Sequence, residues 1–191
     1  MTTTTAIPAA TITWKVDPAH SRAEFKVKHM MISNVKGGFN GVSGTLIEDT
    51  ADPARSHLEA TIDIATVSTG DEQRDTHLKS ADFFHQEQHP QMFFKSTKVE
   101  KKGQEEYAVT GDLTLHGVTK AVTFAVEGPS APAKDPWGNT RIGLSATTKI
   151  NRKDFGLTWN AALETGGILV GEDVQISLDV QFIKSQGTIE N

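Results

Sequence analysis

Apolar and polar residues alternate with a period of two through most of this chain, and no other feature limits the fold as strongly. The alternation is clearest in 22–29, 58–64 and 174–182, where charged or polar residues separate the inward-facing ones. A strand with this pattern buries one face and exposes the other, as in an antiparallel sheet or a barrel wall. About eight such segments at hairpin-like spacing predict an all-β fold.

Closure of the sheet into a barrel is the favoured architecture, because a closed sheet has no exposed edge strands. We predict an extended antiparallel barrel of eight strands, a size that can enclose one small ligand. A sandwich is the alternative, and side chains would fill its interior. Within the predicted second strand, 35–48, Gly37, Gly38, Gly41 and Gly44 indicate bulges and sharp coiling.

One polar segment departs from the strand pattern and predicts a helix. Arg74, His77, Leu78 and Ala81 stand at positions i, i+3, i+4 and i+7, so they share one helical face. That face combines a cation, an imidazole and two apolar groups. Such a mixture is what the mouth of an apolar cavity requires when the ligand has a polar head and an apolar tail.

The ends of this helix are indicated by its flanking residues. Thr69 and Glu72 fit the Thr-x-x-Glu capping box, which places the helix at about residues 70–80. A further helical turn is expected within 151–155. All other regular structure is expected to be strand. The apolar runs 107–115 and 122–126 flank His116-Gly117 and predict a tight hairpin there.

The length of 191 residues favours one domain with room for a core or an internal cavity. We assign a β-barrel domain to 13–184, a disordered N-terminal tail to 1–12 and a C-terminal tail to 185–191. The net charge of −5 and the lack of a basic stripe argue against nucleic acid as a partner. The sequence leaves a homodimer open.

The N-terminal residues do not have the composition of an export signal. They carry no Lys or Arg before Lys15 and no apolar run of signal length. No stretch approaches the roughly 18 consecutive apolar residues of a membrane span. We therefore expect no integral membrane segment and a cytoplasmic location.

Motifs for catalysis and for metal binding are also weak in this sequence. The chain has no cysteine and no Gly-x-Ser-x-Gly elbow, so we expect no enzyme of those classes. His85 and His89 have the i, i+4 spacing of paired metal ligands, but the sequence shows no third ligand that completes a recognised motif. We expect no metal site and no required cofactor.

A group of segments spread from about Trp14 to Phe182 resembles one known family. The segments are Asp17-Pro18-Ala19-His20-Ser21, 25–33, 35–39, Arg74-Asp75-Thr76-His77-Leu78, Asp82-Phe83-Phe84, 94–97, 111–119, 151–157 and Trp159. In this order they are similar to the YceI-like family, lipocalin-like proteins that bind polyisoprenoids and related amphiphiles. The resemblance implies a lipocalin-like barrel with a long apolar tunnel for an isoprenoid chain.

From this resemblance we expect a long-chain amphiphilic lipid as the partner, either a polyprenyl phosphate or pyrophosphate or an isoprenoid quinone. The bound lipid would be sequestered or carried without catalysis. The residues alone leave open a filled barrel that acts as a protein-interaction or stress-response module, with Trp137 as an exposed anchor. The expected tunnel residues are Phe25, Val27, Phe39, Ile62, Ile64, Leu78, Phe84, Phe94, Leu113, Leu115, Phe124, Leu144, Ile176 and Leu178.

Three residues are candidates for holding the polar head of such a lipid. Arg74 offers a planar fork of donors that suits phosphate. His77, one turn on, can donate to a phosphate or a quinone carbonyl. Alternation places His29 on the apolar face of the first strand. We expect all three at the mouth of the tunnel, with the helix as its gate.

Overall fold

Eight antiparallel wall segments close into a barrel, which confirms the predicted architecture. The computed structural model describes residues 11–185. The strands are β1 (Thr11–Val16), β2 (Arg22–His29), β3 (Ser33–Phe39), β4 (Val42–Asp49), β5 (His57–Asp63), β6 (Val67–Ser68), β7 (Gln91–Lys101), β8 (Glu106–Leu115), β9 (Val118–Glu127), β10 (Ala133–Lys134), β11 (Thr140–Asn151) and β12 (Val170–Lys184). Neighbouring strands run β11-β9-β8-β7-β5-β4-β1-β12, and pairing of β12 with β11 closes the ring.

Strand β12 forms the seam of this barrel because it pairs along both of its edges. One edge pairs with β11 from Arg141 to Asn151. The other edge pairs with β1 near the C-terminal end of β12 and with β2 near its N-terminal end. A 3₁₀ turn at Pro18–His20 separates β1 from β2, and the Asp17 carboxylate caps this turn by accepting the Ala19 N–H (3.0 Å).

The glycine-rich segment differs from its prediction in two ways. It forms two strands, β3 and β4, instead of one, and neither the β2–β3 nor the β4–β5 pairing contains a bulge. The glycines instead permit close approach. A Cβ on Gly37 would lie 2.5 Å from the Phe25 ring, and one on Gly44 would lie 2.4 Å from the Glu59 carbonyl oxygen. Glycine is therefore required for the packing of adjacent strands and not for curvature by bulging.

Helix α1 runs over Glu72–Lys79, within the predicted 70–80, but its N-cap is Asp71 and not Thr69. The Asp71 carboxylate accepts the Arg74 N–H at 2.9 Å. The predicted capping box is therefore wrong, since the Thr69 hydroxyl binds the Asp75 carboxylate instead (2.6 Å). Among residues 11–185, no helix has the length and apolarity needed to cross a membrane.

The remaining predictions concern a helical turn and the chain ends. A 3₁₀ turn at Arg152–Phe155 confirms the further turn, and the Asn151 side chain caps it. Strand β1 begins at Thr11, two residues before the predicted domain start, because Thr11 already pairs with Asp49 of β4. The rest of the predicted N-terminal tail, and all of the predicted C-terminal tail except residue 185, lie outside the described residues.

The two open ends of the barrel have different coverings. At one end lie α1, the segment 80–90, the 3₁₀ turn Arg152–Phe155 and the segment 156–169. We call this the helix end. At the other end lie the 3₁₀ turn Pro53–Arg55 and the loop that leads to β11; we call this the opposite end. Candidate site residues can therefore be placed relative to these two ends.

Charged residues at the opposite end form a small network around Arg141. Its Nη1 donates to the Asp17 carboxylate (2.5 Å) and its Nε to the Asp135 carboxylate (2.7 Å). The Asp135 carboxylate also accepts the backbone N–H groups of Trp137 and Asn139. Because Arg141 donates to it, the pKa of Asp135 falls from 3.8 to about 2. Asp135 therefore orders the loop before β11 while ionised.

We expect the contribution of Asp135 to stability to disappear in acid. Its folded pKa is depressed, so the contribution is fully present above the unfolded pKa near 4 and is lost as the pH falls towards about 2. The difference in free energy of unfolding between wild type and Asp135→Asn should be constant above about pH 5 and should shrink steadily as the pH falls to 2. Urea unfolding at each pH measures it.

The matched control is Asp173→Asn, which breaks an ion pair to Lys149 whose two side chains are about 60% exposed. Exposed pairs contribute little, so this variant should stay close to wild type at every pH. A gap between wild type and Asp135→Asn that persists undiminished at pH 2 would contradict this account.

Candidate functional site

An elongated cavity of about 460 Å³ occupies the barrel interior. Arg74 and Trp159 line it at the helix end, and Pro53, Tyr107 and Pro129 line it at the opposite end. Its volume falls in the range of about 300–1,000 Å³ that is typical of small-molecule sites. The buried apolar side chains form three separate clusters around it. A filled barrel, the alternative that the sequence left open, does not match this geometry.

The inward side chains of the strands make the lining apolar, as the alternation predicts. All the predicted tunnel residues line the cavity except Ile64. Ile64 begins a 3₁₀ turn after β5, where the strand alternation has ended, and it packs into the wall beside Phe39, Val42 and Val67. The lining residues are the site's apolar surface, and their contact with a ligand stays a prediction.

Arg74 lies at the helix end with part of its guanidinium already engaged. Its Nε donates to the Thr69 hydroxyl (2.7 Å) and its Nη2 to the Thr69 carbonyl oxygen (3.1 Å). Arginine has five N–H donors, and the remaining ones have no acceptor within residues 11–185. Thr69 therefore fixes the side chain in place and leaves donors for a ligand.

His77 belongs to an aromatic cluster that closes the helix end. Its Nε2 lies 2.9 Å from the Asp82 carboxylate. Its ring meets the Phe83 ring at 5.0 Å and the Trp159 ring at 4.8 Å, both edge to face. This cluster joins the helix to the segment 156–169. Because the Asp82 carboxylate binds one of its ring nitrogens, the orientation of the His77 ring is more restricted than the sequence suggested.

His29 also lies at the helix end, as the last residue of β2. It is half-buried, pairs across the sheet with Ser33 and Val170, and borders the cavity. The structure thus brings all three predicted head-group residues to one end of the cavity.

A buried cation at the cavity was not anticipated as a site residue. Arg152 is only 4% exposed and also borders the cavity. Its guanidinium donates to the carbonyl oxygens of Gly171 (2.8 Å), Leu157 (2.5 Å) and Val170 (3.3 Å), and burial lowers its pKa. Nothing in the alternation marks it, since a cation after a strand is usually exposed. Trp159 was singled out only as part of the family resemblance.

Comparison with known proteins places the whole barrel in one group. The YceI-like domain model matches residues 14–182. A UPF0312 protein of Staphylococcus aureus (strain N315) is 38% identical over 171 residues, which are 89% of this chain and 96% of that protein.

Solved structures agree with this match. The Campylobacter jejuni YCEI protein is 35% identical, with a TM-score of 0.69 over 83% of this chain and 90% of that one. Burkholderia cenocepacia BcnA is 26% identical, with a TM-score of 0.73 over 87% and 98%. A polyisoprenoid binding domain from Saccharophagus degradans shares the fold at 18% identity, with a TM-score of 0.67 over 91% and 99%.

Proposed function

Since this chain belongs to the YceI-like domain family, we propose that it binds an isoprenoid-type amphiphile and sequesters or carries it without catalysis. The candidate ligands are a polyprenyl phosphate or pyrophosphate and an isoprenoid quinone. The observation that carries the proposal is the apolar cavity along the barrel, with an incompletely paired arginine at one end. The Saccharophagus degradans domain, which is described as polyisoprenoid binding, indicates that this fold is compatible with such a chain.

The apolar interior provides the affinity for the tail. Each methylene moved from water into an apolar site contributes roughly 0.8 kcal/mol. A tail of a few dozen carbons would nominally exceed the ceiling of about 18–21 kcal/mol on noncovalent affinity. Ordering of the tail offsets the excess, and part of a long tail would also lie outside this cavity. Selectivity by a single methylene is therefore expected to be weak.

The polar residues at the helix end favour an anionic head. Arg74 has free donors in a fork that matches phosphate geometry. His29 borders the same end, and His77 can add a donor if Asp82 releases it. Of the two ligand classes, a prenyl phosphate uses the arginine more fully than a quinone does.

Native mass spectrometry of the purified chain, followed by organic extraction, tests the proposal. We expect one isoprenoid-type molecule per chain, or uptake of one added prenyl phosphate per chain. A mass equal to that of the chain without ligand, with no uptake of prenyl phosphates or quinones, would contradict the proposal.

An Arg74→Gln variant tests the head contact. A charge-assisted hydrogen bond contributes about 1.5–3 kcal/mol, so affinity for a prenyl phosphate should fall roughly 10–100-fold. Arg22→Gln is the control, because the Arg22 side chain is half-exposed and is not among the residues that line the cavity. An equal loss in both variants would remove Arg74 from the head site. A loss for phosphates but not for quinones would identify the ligand class.

A further inference from the structure

Three imidazoles from two separate parts of the chain meet at the helix end of the barrel. His85 and His89 lie in the segment between α1 and β7, and His116 lies in the turn between β8 and β9. One ring nitrogen from each of the three residues lies within 4.8 Å of those of the other two. The ring centroids are 6.0 Å apart for His85 and His89, 6.5 Å for His85 and His116, and 5.1 Å for His89 and His116.

The sequence pairs His85 with His89 but does not reveal the third member. The structure places His116 beside them, and the spacing of the sequence does not indicate this third histidine. The separation in sequence conceals the grouping, because it depends on how the barrel brings the β8–β9 turn against the segment after the helix.

The local backbone holds these rings in position. The His89 N–H donates to the His85 carbonyl oxygen (2.9 Å), so the two residues form one turn. His116 and Gly117 have φ values of 53° and 73°, which is the tight hairpin turn predicted between β8 and β9. A Cβ on Gly117 would lie 2.7 Å from the His89 ring. The hairpin glycine thus makes room for the imidazole.

Hydrogen bonding leaves a nitrogen of His116 free to bind an ion. Its Nδ1 lies 3.2 Å from the Phe155 carbonyl oxygen, which can only accept. Nδ1 is therefore the protonated nitrogen, and the lone pair is on Nε2. Metal-binding histidines typically donate their second ring N–H to a carbonyl or carboxylate in this way.

The ring nitrogens of the other two histidines are not hydrogen-bonded in the described part of the chain. Within residues 11–185, no hydrogen bond or ion pair engages the ring nitrogens of His85 or His89. Burial lowers the pKa of His89, and repulsion from His116 and His85 lowers it further. Because no group in residues 11–185 engages them, the ring nitrogens of His85 and His89 are available to an ion.

We propose that His85, His89 and His116 bind one divalent transition-metal ion, with Zn²⁺ as the expected ion and a water at its fourth position. Imidazole suits Zn²⁺, Cu²⁺ and Ni²⁺. In a tetrahedral site with Zn–N bonds of 2.0–2.1 Å, the ligand nitrogens lie roughly 3.3–3.4 Å apart. Small rotations of these half-buried rings close the distance from the present arrangement.

Such an ion would connect two elements that the backbone leaves separate. It would hold the segment 80–90 against the β8–β9 turn, and Phe84, the neighbour of His85, borders the lipid cavity. The metal site does not depend on the lipid proposal, since its ligands lie outside the predicted head-group set.

Metal titration of the full chain, purified without a histidine tag and stripped with EDTA, tests the proposal. We expect one Zn²⁺ per chain by calorimetry and an intense tetrahedral visible spectrum with Co²⁺. At a Zn²⁺ concentration 100 times Kd, Tm should rise by about 5–10 °C.

Single variants locate the site. His85→Asn and His116→Asn keep a side chain that tolerates the positive φ of 50° and 53° at these positions. Each should weaken Zn²⁺ binding by more than about tenfold, with an unchanged circular dichroism spectrum without metal. His20→Asn is the control, because His20 is about half exposed and lies away from the cluster.

Two results would overturn the proposal. One is the absence of saturable Zn²⁺ and Co²⁺ binding by the wild type. The other is equal binding by the wild type and both cluster variants. Either result would mean that the three rings pack together without binding a metal ion.

Discussion

A Leu178→Trp substitution is expected to abolish retention of a long-chain amphiphile while leaving the barrel folded. Leu178 packs against all three apolar clusters, so it stands at the middle of the cavity. Overpacking a filled core usually costs about 1–3 kcal/mol. Here the indole enters open volume and takes the place of the tail. If the indole displaces four methylenes of the tail, the binding free energy weakens by about 3 kcal/mol. This corresponds to a loss of more than 100-fold in affinity.

The control for this variant lies on the same strand. Ser177 is exposed on the outer face of the barrel, so Ser177→Trp adds the same side chain without entering the cavity. Native mass spectrometry with an added prenyl phosphate compares the two variants, and thermal unfolding checks that both are folded. Stoichiometric lipid in a folded Leu178→Trp variant, at the affinity of wild type, would show that the tail does not occupy the barrel.

An Arg152→Met substitution is expected to lower the free energy of unfolding by about 3–5 kcal/mol. The pairing of β12 with β2 is irregular between Val170 and Val174. The Arg152 guanidinium donates to the carbonyl oxygens of Val170 and Gly171 in this irregular stretch, and to that of Leu157. Methionine has a similar length but no donors, so the Gly171 and Leu157 carbonyls lose the guanidinium as a donor. The Val170 carbonyl keeps the Asn160 side-chain amide (2.7 Å).

Two effects of this substitution oppose each other. Burial disfavours the charged guanidinium, as its lowered pKa shows, so removing the charge relieves a desolvation cost. The change replaces only the donor, however, and the desolvation cost of the carbonyls remains. Three lost hydrogen bonds to a charged group outweigh the relief.

Lys153→Met provides the comparison for Arg152→Met. Lys153 is the next residue, and its amine pairs with Glu172 on the surface, where both side chains are over 40% exposed. Loss of this ion pair should change the free energy of unfolding by less than about 1 kcal/mol. Urea unfolding at pH 7 measures both variants. Equal, small losses would show that other groups or water replace the guanidinium.

The elements that local pattern determines were predicted well. Strand β2 has the predicted bounds, because 22–29 alternates without interruption. The hairpin at His116-Gly117 also has its predicted position, since a glycine follows directly on one apolar run and precedes another. These features depend on neighbours in sequence, which a reader of the chain can see.

The features that were missed depend on contacts between distant segments. Asp71 caps the helix because Thr69 is drawn to Asp75, a competition that spacing alone does not resolve. The burial of Arg152 requires the irregular start of β12, about twenty residues later in the chain. His116 joins His85 and His89 only when β8 pairs with β7. Sequence pattern therefore located the cavity walls better than the polar groups at its end.

The seam at β12 has a consequence for how the chain acquires this structure during synthesis. The ring can close only when β12 is available to pair with β11 on one side and with β1 and β2 on the other. Contacts between β2 and β12 join residues about 150 positions apart, and such long-range pairings are slow to form. Until the ribosome releases β12, the edges of β1, β2 and β11 that pair with it stay exposed. During that time the nascent chain depends on protection from aggregation.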